Sequence, residues 1–147
     1  MKPTLVIGLG NPLMGDDGVG WHVAERLASD PRLPESVEAM CGVTDLLRYA
    51  GQMEGRSRVI FIDAIQDDAQ PGSVLVFGET YPEMDSRQEH AHHLSAVQAI
   101  QLLKMMVAAP IALLGISISS AVTQTELSPA VDGRMASILD RVLQELI

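Results

Sequence analysis

The sequence predicts an α/β protein: a three-layer α/β/α sandwich around a central, twisted, five-stranded sheet that is mixed but mostly parallel. Three observations predict it. Short apolar runs alternate along the chain with stretches of helical periodicity, the pattern of strand–helix–strand units. Val59, Ile60, Phe61 and Ile62 are apolar without a break, as expected of a central strand covered on both faces. The link from that run to the next, Gln66 to Gly72, is too short for the helical crossover a parallel neighbour requires. If those two strands are adjacent they run antiparallel, which makes the sheet mixed.

Each element follows from local chemistry. Residues 4–8 form the first strand, and its Leu5-Val6-Ile7 core opens into a turn rich in Gly, Asn and Pro that runs to about Asp17. A helix follows with Val19, Val23 and Leu27 at four-residue spacing, while Trp21, Glu25 and Arg26 fall off that stripe. Pro31 and Pro34 end it. Val37 to Met40 is the second strand, ending at Cys41-Gly42. Thr44 or Asp45 is placed to cap a short helix carrying Leu46, Leu47 and Tyr49 and closed by Gly51. Arg58 to Ile65 is the third strand and Ser73 to Phe77 the fourth.

Residues 79–93 are polar, contain Pro82 and three of the four histidines, and read as a long surface loop, a kind of segment that often carries function. A helix from about Leu94 to Val107 presents Leu94, Val97, Ile100 and Leu103, with Lys104 near the same face. Pro110 to Ser117 is the fifth strand. Ser128 as N-cap and Pro129 at the first helical position start the last helix. Its apolar side is Val131, Met135, Ile138, Val142 and Ile147.

Composition narrows the classes of function. A chain of 147 residues, 47% hydrophobic and 20% charged, fits one domain over 1–147 with a sizeable core. Its net charge of −9, from 19 acidic against 10 basic residues, argues against nucleic acid or an anionic membrane as partner. The single Cys41 excludes an internal disulfide and suits a reducing compartment, so a soluble, cytoplasmic protein is expected. No signal sequence is recognisable, and the apolar stretch from Met105 to Ile118 is interrupted by Pro110 and Gly115, which argues against a membrane span.

Three positions stand out chemically. Asp17 follows the first strand, Asp63 ends the third, and His92 ends the long loop just before a helix. Open α/β folds build their sites at the carboxyl edge of the sheet. If the first and third strands are neighbours, their ends lie roughly 5–10 Å apart. Two carboxylates and an imidazole suit a divalent transition metal such as nickel or zinc. Plainer roles compete. Asp16 or Asp17 is also placed to cap the following helix, a strand-end Asp63 can bond a neighbouring loop, and His90, His92 and His93 can be a solvated cluster. Cys41 reads as a small hydrophobe filling a core gap.

Familiar motifs are missing. Gly8, Gly10 and Gly15 do not make a GxGxxG dinucleotide loop, and there is no GxxxxGK[ST], GxSxG or HExxH. The GLGNP stretch is shared with the start of peptidyl-tRNA hydrolases, but their TRHN-like continuation is replaced here by GDDGVG.

GLGNPLMGDDGVG at 8–20, VIFIDAI at 59–65, and a histidine at the head of the helix after the long loop together resemble the hydrogenase maturation endopeptidases. That family trims the C-terminal extension of the nickel-iron hydrogenase large subunit. The resemblance spans nearly the whole chain and implies a phosphorylase/hydrolase-like fold. It also implies that Asp17, Asp63 and His92 contact a metal, with Asp17 and Asp63 as catalytic carboxylates. The nickel would come from the substrate, no permanent cofactor is expected, and another divalent metal can occupy the site. The implied partner is a hydrogenase large-subunit precursor; a monomer is expected on separate grounds, because no apolar stripe of the sequence is left unassigned. Two segments depart from the family pattern: Cys41-Gly42-Val43-Thr44 stands where a Gly-Gly-Thr is usual, and Ile116-Ser117-Ile118-Ser119 where a proline is. Two other functions use the same residues: a non-catalytic checkpoint for nickel loading, and a divergent hydrolase of the same fold.

Overall fold

The computed structural model describes residues 1–42, 45–77, 91–119 and 125–147, the side chains of 91–96 excepted. Thr44, His90 and the loop segment 79–90 lie outside the described residues, as do the side chains of His92 and His93.

Five strands form one sheet in the order β2-β1-β3-β5-β4. They are β1 (Thr4–Gly8), β2 (Val37–Cys41), β3 (Arg58–Gln66), β4 (Val74–Phe77) and β5 (Ile111–Ile118). The helices are α1 (Val19–Ala28), α2 (Ala50–Met53), α3 (Ala91–Met106), α4 (Pro129–Asp132) and α5 (Met135–Leu146), with 3-10 turns at Gly15–Gly18 and Leu46–Tyr49. β1 lies parallel between β2 and β3, and β3 lies parallel to β5. β4 runs antiparallel, as the sheet's outer strand, against β5. The sheet is therefore mixed, but the antiparallel partner is β5 and not β3. The short β3–β4 link steps across the position that β5 later fills.

Strand alternation builds two cores. On one face Val6, Ile60, Ile62, Ala64, Leu114 and Ile116 pack against Val19, Val23 and Leu27 of α1 and Ile138 and Val142 of α5. On the other, Leu5, Ile7, Val59, Phe61, Ile111 and Leu113 pack against Leu46, Tyr49, Met53, Ile100 and Leu103. The three-layer sandwich follows from that parity. Leu27 is fully buried, and removing a side chain of this kind leaves a cavity at a cost of about 2–5 kcal/mol.

Several boundaries differ from the sequence reading. The short helix continues through Gly51 to Met53, because a Cβ at Gly51 would meet nothing within 4 Å and no turn is forced there. The helix expected from Leu94 already includes Ala91, which puts His92 in its first turn and not at the end of a loop. The last helix is two: α4 starts with Ser128 accepting from the Val131 amide, as predicted, but the chain breaks after Asp132 before α5 begins at Met135. Ile147 is 93% exposed and does not belong to the apolar side of α5.

Candidate active site

The carboxyl edge of the sheet is shaped by β1 stopping early. Its last pairs are Gly8 with Cys41 and with Ile62, whereas β3 and β5 remain paired out to Gln66 and Ile118. The Leu9 amide completes the edge by donating to the Ile62 carbonyl at 2.8 Å. Asp63 is thus the first residue of β3 beyond its neighbour β1. The chain leaves β1 toward β2 on one side and leaves β3 toward β4 on the other. Such a divergence between adjacent parallel strands opens the crevice in which α/β folds place their ligands.

The loop after β1 folds back over this crevice through very close backbone contacts. Gly10 has φ +114°, and a Cβ there would stand 2.3 Å from the Asp17 carbonyl oxygen. A Cβ on Gly20 would stand 2.3 Å from the Ile62 carbonyl oxygen, so only glycine lets α1 begin against the end of β3. Within the loop the Met14 amide donates to the Asn11 carbonyl and the Asp17 amide to the Met14 carbonyl.

The two adjacent acids have different employment. Asp16 is buried, and its carboxylate accepts from both the amide and the hydroxyl of Ser128, each at 2.7 Å. It pins the β1 loop to the start of α4 across 112 positions of the chain. Asp17 is half-buried and caps neither the 3-10 turn nor α1 through its side chain. Neither acid caps a helix through its side chain: Asp16 is a tertiary clamp, and among the described residues no hydrogen bond to the Asp17 carboxylate is seen. Sequence inspection alone had no signal for the clamp beyond Ser128, the N-cap it engages.

Asp63 is buried at 8% exposure, and its Oδ1 accepts from the Ala64 amide at 2.8 Å. Burial pushes its carboxyl up to about 8; the Ala64 hydrogen bond opposes this, and the negative charge of nearby Asp17 adds to it. Asp63 follows Phe61 in strand parity, which puts it on the α3 side of the sheet. The backbone of α3 runs from Ala91 to Met106 before β5 begins at Ile111, so position 92 lies at the end of that helix remote from the start of β5. Among the described residues no three His, Cys, Asp or Glu side chains gather as a metal site.

Cys41 ends β2 and is half-buried, with its thiol 3.5 Å from the Trp21 carbonyl oxygen. Burial first, and then the charge of Glu25, push the thiol up, which disfavours a thiolate nucleophile; Cys41 is only half-buried and belongs to neither core, so it does not fill the core gap expected for it. A mostly apolar cavity of about 180 Å³, lined by Arg58, Val76, Pro110, Ala112, Leu114 and Glu145, includes the residues at the amino ends of β3 and β5 and neither Asp17 nor Asp63. Its one carboxylate, Glu145, lies with Arg58 at the edge of the sheet opposite Asp63.

A mixed, mostly parallel sheet with helices packed on both faces, its chain direction diverging between β1 and β3, defines an α/β domain. The chain belongs to the hydrogenase maturation protease family, whose model matches residues 21–145, and it is an enzyme of the peptidase class. It is 28% identical over 146 residues to the hydrogenase 2 maturation protease of Escherichia coli strain K12, covering 97% of this chain and 89% of that one. The structure resembles the hydrogenase maturating endopeptidase HybD from Escherichia coli with a TM-score of 0.79 at 26% identity, over 99% of this chain and 92% of the other. It also resembles the [NiFe] hydrogenase maturation protease HybD from Thermococcus kodakarensis, with a TM-score of 0.74 at 26% identity and full coverage of both chains. Among the described residues no helix is long and apolar enough to cross a membrane.

Proposed function

We propose that this protein is the endopeptidase that removes the C-terminal extension of a nickel-iron hydrogenase large-subunit precursor once nickel has been inserted. The observation that carries the reading is the buried Asp63, one residue beyond the last β1–β3 pair, with Asp17 on the loop that follows β1. A buried acid with a like charge next to it is poorly compensated. A divalent cation brought to the crevice relieves that repulsion and draws Asp63 into its charged form. Membership of the hydrogenase maturation protease family supports the substrate class.

In this reading the cation is part of the substrate. Asp17, Asp63 and His92 contact the nickel already held in the precursor, with oxygen and nitrogen donors appropriate to that ion. The contact fixes the scissile peptide bond against the crevice, converting recognition into positioning. Two routes to the attacking water fit the arrangement: a carboxylate acting as general base, and polarisation of the water by the cation. A precursor without nickel lacks what the carboxylates recognise and is left uncut. The enzyme is read as a cytoplasmic monomer, for which the single half-buried thiol is suitable.

The test is intact-mass analysis of a nickel-loaded large-subunit precursor from the same organism, incubated with wild type, Asp17→Ala or Asp63→Ala. Wild type is expected to release one discrete C-terminal peptide, and neither variant to do so. Nickel-free precursor should stay intact. Cleavage by the folded variants at the wild-type rate would refute the assignment. Binding of loaded precursor by wild type without any cleavage would favour the checkpoint reading.

A further inference from the structure

The loop that carries Asp17 also carries two large apolar side chains that are exposed. Leu13 is 69% exposed and Met14 is 41% exposed, whereas Leu9 and Asp16 on the same loop are buried. Neither Leu13 nor Met14 belongs to either core. Their backbone is nevertheless held: the Leu13 amide donates to Asn11 Oδ1 at 2.9 Å and the Met14 amide to the Asn11 carbonyl at 3.0 Å. The Met14 carbonyl in turn accepts from the Asp17 amide at 3.2 Å. One hydrogen-bonded turn therefore presents two exposed apolar side chains and leads directly into the acid of the site.

Scattered exposed apolar residues are ordinary on a protein surface. An adjacent pair on an ordered turn bonded to Asp17 is a different case, because Met14 and Asp17 belong to one turn and are joined by a backbone hydrogen bond. A free hydrated ion gains nothing from such neighbours. A cation embedded in a folded protein brings its apolar surroundings with it. Building on the proposed function, we infer that Leu13 and Met14 form an apolar seat for the protein surface flanking the metal centre of the large-subunit precursor, so that the site reads the metal together with its protein setting. A long, ordered, apolar contact of this kind contributes affinity by burial, and its preformed backbone limits the ordering cost.

The test uses the full chain and nickel-loaded precursor, comparing wild type, Asp17→Ala, the double variant Leu13→Ser/Met14→Ser, and the conservative Leu13→Met. Initial cleavage rates are measured against precursor concentration, with thermal unfolding and sedimentation of each protein alongside. The double variant is expected to raise KM at least tenfold while kcat stays within about twofold, as loss of uniform binding requires. Its melting temperature should match wild type, and Leu13→Met should keep KM near the wild-type value. An unchanged KM in the double variant, while wild type cleaves and Asp17→Ala does not, overturns the seat and leaves the proposed function standing. A lowered melting temperature would assign the pair a structural role and overturn it as well. So would a wild-type dimer that the substitutions dissociate at unchanged KM. If wild type itself cleaves no loaded precursor, the proposed function fails and the seat falls with it.

Discussion

Replacing Asp63 by asparagine separates the stability of the fold from the charge at its site. The carboxyl rises from 3.8 in an unfolded chain to about 8 in the folded protein, chiefly through burial. The folded state therefore binds the proton more tightly than the unfolded state. Stability contributed by the protonated form is complete below pH 3.8 and is lost as pH rises toward 8. Within that window the slope approaches about 1.4 kcal/mol per pH unit, and over the roughly three units up to pH 7 the accumulated loss is on the order of 4 kcal/mol. An asparagine at this position would keep the shape and the oxygen that accepts from the Ala64 amide but has no proton to lose. Asp63→Asn should match wild type near pH 4 and exceed it by about 4 kcal/mol at pH 7, or roughly 10 °C in Tm for a domain of this size. The assay is urea unfolding of both proteins from pH 4 to 9, with a chelator present so that no metal binds the folded state. Titrations common to both proteins cancel in the difference. Curves that stay parallel across the range, or a wild type that gains on the variant as pH rises, would refute the reasoning. The same variant should fail to process precursor, setting stability and function in opposition at one residue.

Other expectations concern the scaffold around that acid. Asp16→Ala removes both hydrogen bonds to Ser128 and should destabilise the protein by about 2–4 kcal/mol, read by denaturant unfolding at neutral pH. Gly20→Ala forces a methyl group against the Ile62 carbonyl; a loss of at least about 1–3 kcal/mol is expected, with reduced soluble yield, and a wild-type Tm would refute the packing argument. Cys41→Ala should leave processing intact, and wild-type Cys41 should alkylate more slowly at pH 7 than a free thiol, as mass spectrometry of a timed iodoacetamide reaction would show.

Much of the fold was legible because its signals are local. The uninterrupted apolar run at Val59–Ile62 marked a strand buried on both faces, and β3 is one. The four-residue spacing of Val19, Val23 and Leu27 marked the inward face of α1, where all three are buried. Ser128 and Pro129 announced the start of α4 from their own chemistry. The partner of β4 was not legible, because a short link says which direction a strand can take but not which later strand will occupy the gap. The break between α4 and α5 had a small signal in Gly133, whose missing side chain stands where a Cβ would meet the Pro129 carbonyl at 2.9 Å.

The site divided in the same way. Asp63 could be singled out because an acid directly after a buried strand is unusual. Local chemistry does not tell Asp16 from Asp17, neighbouring acids on one loop, and it was the family resemblance that singled out Asp17. What separates them is Ser128, which the chain supplies 112 positions after Asp16. The helical setting of position 92 was also hidden, because a polar, histidine-rich stretch has no apolar periodicity to mark where a helix begins.

The parity that divides the sheet into two cores has a consequence for how this sequence can change. Asp63 faces the α3 layer only because it stands an even number of residues after Phe61 and Val59. A single-residue insertion between Val59 and Asp63 would turn the acid toward the α1 and α5 layer, or force the strand to slip and expose its core residues. Lengthening or shortening the β3–β4 link, past the acid, carries no such penalty. Descendants of this chain are therefore free to vary in length after Asp63 but are locked to the residue before it, which makes β3 a frame-keeper for the chemistry at its end.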